Sequence, residues 1–231
     1  MSKLFLLRHF KSQWNFENRF TGWVDVPLLK KENNETIKKI SKKIFNERID
    51  VVFSSPLFRN MLSVWLVFKY YDLKYPIFIH LDKGKMKEWG KFRESKDSKK
   101  RYIPVYISES LNERCYGKLQ GENKKEIMTK YGEEKVHLWR RGYKDRPPGG
   151  ESLEDVYKKR TTPFFKKYIE PMLEKNKNIL IVASHNSLRA LIKYIEKISD
   201  EEILNVEIPY GGLIKYNLQK KIITKKDIFR T

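Results

Sequence analysis

Leu4–Thr21, LFLLRHFKSQWNFENRFT, opens with the apolar run Leu4–Leu7, followed at once by Arg8 and His9. A short apolar run bounded by polar residues predicts a buried strand. In open α/β sheets the ligand crevice lies beyond the carboxyl ends of the strands. Arg8 and His9 are therefore expected on the rim of a pocket, a permanent cation beside a candidate nucleophile. Taken alone, such a pair is more often surface charge, so the rest of the chain has to decide its weight.

Working outward, Ile37, Ile40, Ile44 and Phe45 recur on one helical face, with Asn33 or Asn34 available as the N-cap. Ile49–Phe53 (IDVVF) predicts a second strand, ended by Ser54-Ser55-Pro56. Arg59 then stands near the start of a helix carrying Met61, Leu62, Trp65, Leu66 and Phe68. Strand, helix, strand, helix favours a parallel sheet. Residues 76–102 break this order with a run rich in Lys, Glu, Asp and Ser, expected as a surface loop outside the sheet. Ile103–Ile107 resumes the strand pattern, and Ile179–Ala183 (ILIVA) predicts another strand, with His185 just beyond it. Ser152 with Asp155, and Ser199 with Glu202, have the spacing of helix-starting capping boxes. Leu153 to Ile169 is expected to be mostly helix, kinked at Pro163. A further helix is expected from Asn186 or Ser187, with Leu188, Leu191, Ile192 and Ile195 on its apolar face.

At 231 residues the chain fits one α/β domain, 1–231, interrupted only by the 76–102 segment. The net charge of +20, from 49 Lys and Arg against 29 Asp and Glu, favours anionic partners, although the lysines are scattered as on a solvated face. The single cysteine, Cys115, excludes an intrachain disulfide and a cysteine-built metal site, and fits a reducing compartment. No apolar run reaches membrane-spanning length, and a cytoplasmic location is the expectation.

Several blocks resemble one family. Arg8-His9-Phe10-Lys11-Ser12-Gln13-Trp14-Asn15 is similar to R-H-G-E-S-x-W-N, and Phe20–Leu28 to F-T-G-W-x-D-V-x-L. Leu111–Lys124, LNERCYGKLQGENK, departs from L-N-E-R-H-Y-G-x-L-Q-G-x-N-K only at Cys115. Trp139-Arg140-Arg141, Pro147–Leu153 and Ser184–Tyr194 continue the likeness. These patterns resemble the cofactor-dependent phosphoglycerate mutases of the histidine phosphatase superfamily. The resemblance implies a three-layer α/β sandwich with a mainly parallel central sheet, and makes 76–102 an insertion.

Phosphoryl transfer needs cations around the phosphoryl oxygens and an in-line nucleophile. Arginine meets phosphate in bidentate fashion, neutral imidazole can attack phosphorus, and a carboxylic acid can shuttle the proton. The resemblance assigns these roles. His9 would carry the phosphoryl group, Glu113 would be proton donor and acceptor, and Arg8, Arg59 and His185 would bind the transferring group. Ser12, Asn15, Thr21, Gly22, Tyr116, Lys124, Arg140, Arg141 and Asn186 would line the substrate site. The implied reaction interconverts 3-phosphoglycerate and 2-phosphoglycerate, primed by 2,3-bisphosphoglycerate and without a metal. Phosphorylated three-carbon acids are the expected ligands, with no nucleic acid or membrane partner, and a homo-oligomer is left open. A phosphatase of the same superfamily and a degenerate homologue with weak or no turnover are the alternatives.

Two departures bear on the site. Phe10 replaces a glycine, and its ring is expected to narrow the pocket. The glycine that follows the histidine in H-G-N-S-L-R-A-L is missing after His185. Either His185 or Ser184 could then take the histidine's place. The apolar helix face favours a strand end that absorbs the deletion, so that His185 still faces His9, with an inserted glycine improving activity.

Overall fold

The side chains of the first strand point alternately to opposite faces, and this sets the layering of the chain. Leu4 and Leu6 join one core cluster, Phe5 and Leu7 another. The structure, a computed structural model, describes residues 1–29, 31, 33–70, 74–93, 95–219 and 222–229. Among these residues, seven strands form one sheet: β1 (Ser2–Arg8), β2 (Val51–Ser54), β3 (Tyr75–His80), β4 (Tyr102–Ile107), β5 (Ile179–Ala183), β6 (Leu213–Gln219) and β7 (Ile222–Phe229), in the order β3-β4-β2-β5-β1-β6-β7. The five from β3 to β1 run parallel; β6 and β7 add antiparallel to the far side.

One face of the sheet is covered by residues 153–174 and by the His185–Glu196 helix, whose Phe164, Ile169, Leu188 and Leu191 pack on Leu6, Phe53 and Ile181. The other face carries the Asn34–Phe45 and Phe58–Lys69 helices, with Ile37, Ile40, Val64 and Val67 against Phe5, Val52 and Leu180. The expected three-layer sandwich is therefore observed. The strands β1, β2 and β5 are covered on both faces, which is why they read as continuous apolar runs rather than alternating ones. Each such buried side chain stabilises the fold by roughly 1.5–3 kcal/mol.

Several local expectations are corrected. Phe45 is exposed, and the buried stripe of its helix is Ile37, Ile40, Ser41 and Ile44. Asn33 makes no side-chain cap; its amide instead clips Lys11 N–H, Lys11 C=O and Leu29 C=O, each at 3.0 Å. The Phe58–Lys69 helix buries Arg59, Asn60 and Ser63 as well as Val64, Val67 and Phe68, while Trp65 is exposed. Its first turn faces the site rather than the core, so a purely apolar stripe misreads it.

The 76–102 segment is not one surface loop. Its first residues belong to β3, an edge strand paired with β4 from Tyr75↔Tyr102 to His80↔Ile107. Short helices follow at Lys85–Trp89 and Lys96–Arg101; Glu94 lies outside the described residues. Residues 153–174 stay helical through Pro163, with two stretches of wider turns, Val156–Thr161 and Phe165–Ile169. Such turns accommodate a residue that has no N–H to donate. The Ser152–Asp155 capping box is formed, with reciprocal bonds of 3.1 and 2.9 Å. Ser199 and Glu202 cap a single short turn.

Candidate active site

Because β1, β2, β4 and β5 are parallel, their carboxyl ends lie along one edge of the sheet. The segments leaving that edge carry His9, Arg59, Glu113 and His185. They surround a cavity of about 330 Å³. Arg8, His9, Asn15, Thr21, Gly22, Arg59, Glu113, Tyr116, Lys124, Arg140, Arg141, His185 and Asn186 all line it.

His9 is held at both ends of its backbone, by its N–H to Ala183 C=O at 3.2 Å and by Gly211 N–H to its own C=O at 3.3 Å. Its Nδ1 lies 2.7 Å from Phe10 C=O. A carbonyl only accepts, so Nδ1 carries the proton and Nε2 keeps its lone pair. Burial, with Arg59 and Arg8 close by, holds the ring well below the usual histidine pKa. His9 is therefore a neutral imidazole at neutral pH, fixed in the tautomer that leaves Nε2 nucleophilic.

The cations are fastened by neutral acceptors. Arg8 Nη1 donates to Ile208 C=O at 2.5 Å, and its guanidinium lies 3.8 Å from the centre of the Tyr210 ring. Arg59 donates to Gly22 C=O at 2.6 Å and Val24 C=O at 2.9 Å. Burial lowers Arg59 to about 10, which still leaves it charged at neutral pH. Among the described residues, the buried Nε of each arginine and the Thr21 hydroxyl have no hydrogen-bond partner. Unmet donors on buried cations are what a phosphoryl group satisfies. Burial and the neighbouring Arg140 bring Lys124 down to about 8.

Glu113 does not pair with the Arg114 side chain. Its Oε1 accepts the Arg114 backbone N–H at 2.7 Å and the Asn186 N–H at 3.3 Å. Burial pushes its carboxyl up, but His185, these amides and Arg59 outweigh that, and the net direction is down. Its loop is braced from behind: Trp23 Nε1 donates to Glu113 C=O at 2.6 Å, and Arg160 bridges Asn112 C=O at 2.9 Å and Glu151 at 2.8 Å. The Arg114 guanidinium goes instead to Arg140 C=O at 2.8 Å. Arg189 ties Asn186 Oδ1 at 2.9 Å to Arg141 C=O at 2.8 Å. These buried arginines position the loops; in the sequence they look like ordinary helix and loop charge.

The shortened turn after β5 puts His185 in the cavity wall as the first residue of its helix. Ser184 turns inward and accepts from Asn60 Nδ2 at 3.2 Å. The apolar helix face is retained, as Leu188, Leu191 and Ile192 are buried. Burial and Arg8 hold His185 down to about 3, against the opposing pull of Glu207.

Two expectations fail here. Phe10 does not narrow the cavity: its ring is fully buried in the core with Leu7, Leu28 and Ile37, because the backbone after His9 directs successive side chains to opposite sides. Ser12 does not line the cavity either. It is buried as the N-cap of Gln13–Phe16, where its hydroxyl accepts from Asn15 N–H and donates to Asn15 Oδ1 at 2.8 Å. Its effect on the site runs through Asn15. The structure adds Arg19, Phe20, Glu207, Pro209 and Tyr210 to the lining. Of these, Glu207 lies in the loop before β6, and only its charge could have marked it. Among the described residues, no group of three or more His, Cys, Asp and Glu is placed to hold a metal ion.

A five-stranded parallel core carries a histidine and two arginines at its carboxyl edge, the arrangement expected of a histidine phosphatase. The sequence model of the histidine phosphatase superfamily (branch 1) matches residues 4–84 and 93–228, and the chain belongs to that family. Residues 85–92 fall between the two matched stretches. The chain is similar to a Methanococcus vannielii protein named 2,3-bisphosphoglycerate-dependent phosphoglycerate mutase, with 46% identity over 96% of this chain and 92% of that one. A Chlamydia pneumoniae protein of the same name is 43% identical over 99% of both chains. Among solved structures, the fold matches Bacillus stearothermophilus YhfR with a TM-score of 0.73 and 19% identity, covering 96% of this chain and 94% of that one. A mycobacterial glucosyl-3-phosphoglycerate phosphatase gives a TM-score of 0.71 at 18% identity, covering 94% and 93%.

Proposed function

We propose that the chain is a 2,3-bisphosphoglycerate-dependent phosphoglycerate mutase that works through phosphorylated His9. The observation that carries the reading is the Nδ1-protonated, neutral His9 in a cavity with Arg8, Arg59 and His185 around it and Glu113 beside them. His9 Nε2 attacks phosphorus, the N–P bond forms, and the bond from phosphorus to the substrate oxygen breaks. Arg8 and Arg59 hold the phosphoryl oxygens through the transfer, and Glu113 delivers a proton to the departing oxygen. Phosphohistidine in turn gives its phosphoryl group to the free hydroxyl of a bound monophosphoglycerate, with Glu113 now accepting the proton, and the bisphosphate so formed returns its other phosphoryl group to His9. In the free site Glu113 is ionised. A phosphate dianion beside it disfavours a second negative charge, so its proton affinity rises when ligand arrives. Lys124, Arg140 and Arg141 meet the substrate's carboxylate and second phosphate, and 2,3-bisphosphoglycerate satisfies the same cations as donor of the first phosphoryl group. The relatives named above support the mutase over a plain phosphatase, as does this second group of cations.

Conversion of 3-phosphoglycerate, with and without added 2,3-bisphosphoglycerate, tests the reaction. An acid-labile phosphoenzyme should form and be absent in His9→Ala. A phosphoenzyme that persists in that variant would remove His9 from the role. Glu113→Gln should lower mutase turnover by about 10²–10⁴-fold. It should slow phosphorylation by an activated donor with a good leaving group far less.

A further inference from the structure

The segment between the Glu202–Asn205 turn and β6 brings an acidic side chain into this basic cavity. Apart from Glu113, Glu207 is the carboxylate in its lining. The two are held differently. Glu113 is buried and fixed by backbone amides, whereas the Glu207 side chain is 51% exposed and, among the described residues, forms its ion pairs with side chains that line the cavity. It pairs with Arg141 Nη1, stands 3.7 Å from Arg8 Nη1 and lies 3.3 Å from His185 Nε2. These are the side chains assigned to the phosphoryl group and the substrate's other anion.

We propose that Glu207 is a specificity-determining residue: its carboxylate stands in for a ligand anion among Arg141, Arg8 and His185, and ligand must displace it.

The segment is built for such an exchange. Ile208, the next residue, is fully buried and anchors the backbone. Arg8 is held by the Ile208 carbonyl and the Tyr210 ring, neither of which depends on Glu207. The half-exposed side chain can rotate into solvent while the cations stay in place. The carboxylate of Glu207 is held down to about 2, since His185 and Arg141 outweigh its burial, so it remains a competing anion at neutral pH. An anion with one charged group exchanges one set of ion pairs for another and gains little. A ligand with two anionic groups keeps contacts to Arg59 and Lys124 while it replaces the carboxylate. Glu207 thus selects doubly anionic three-carbon phosphates against orthophosphate.

This rests on the cavity being a phosphoryl site, and the test separates the two ideas. Orthophosphate and 2,3-bisphosphoglycerate binding would be measured by calorimetry on the wild-type chain and on Glu207→Gln, which keeps the size of the side chain and removes its charge. Orthophosphate should bind the variant about tenfold more tightly, as expected for losing partly exposed ion pairs to a competing charge. 2,3-Bisphosphoglycerate should gain less, so the preference between the two ligands narrows. Melting gives a second readout: the variant should be less stable than wild type when free and closer to it when saturated with phosphate. Equal or weaker orthophosphate binding by the variant would overturn the proposal and leave the phosphoryl site standing. Binding to neither protein would overturn both.

Discussion

Replacing Phe10 by alanine asks whether the residue after His9 belongs to the core or to the site. The ring is fully buried and packs with Leu7, Leu28 and Ile37. It also lies against Gly211, where a Cβ would come within 2.9 Å of it. A Phe→Ala change in such a core costs about 3–5 kcal/mol, from lost transfer energy and the cavity left behind. For a chain of this size that lowers Tm by about 6–20 °C. The bond that sets the His9 tautomer uses the Phe10 carbonyl, which alanine retains. Urea and thermal unfolding would measure the stability, and single-turnover phosphorylation of His9, scaled to the folded fraction, would measure the chemistry. Phosphorylation should change little while stability falls. A loss of stability under about 0.5 kcal/mol, the range of ordinary surface changes, would refute the packing argument. Faster phosphorylation would refute it too, because a ring that obstructs the site would have been removed.

Three further outcomes follow from the same geometry. Inserting a glycine between His185 and Asn186 should lower activity rather than raise it, because the Asn186 N–H already reaches Glu113 and would be displaced; higher turnover would show the native turn to be impaired. Acid should weaken the fold early. The pKa of His185 is about 3 in the native state against an ordinary 6.5, so between these values the unfolded chain binds more protons and stability is lost as the pH is lowered. Denaturation series across that range should show the decline beginning near pH 6.5, and His185→Phe should reduce its slope. Finally, deletion of residues 85–92, between the matched stretches, should leave cooperative unfolding intact, whereas removal of Tyr75–His80 should destabilise the sheet by exposing β4; equal effects in melting experiments would contradict the edge-strand assignment.

Wherever local chemistry was unambiguous, the sequence by itself determined a good deal. Runs such as Leu4–Leu7 and Ile179–Ala183 have only one favourable fate, burial on both faces, so the parallel core and its carboxyl-edge residues were legible. The motif blocks named Arg8, His9 and Glu113 because their order along the chain is specific, and the resemblance they carry pointed to Arg59. What tertiary structure decided were the directions of side chains and the partners of charges. Phe10 and Ser12 sit beside His9 in sequence, yet one fills the core and the other caps a turn, since a single residue of backbone reverses where a side chain points. Tyr75–His80 became a strand because β4 offered an unpaired edge that its own composition does not announce. Arg160, Arg189 and Glu207 are indistinguishable in sequence from solvated charge. Their roles come from carbonyls, carboxylates and cations supplied by segments dozens of residues away. Electrostatic pairing depends on distance in space, and only the fold sets that distance.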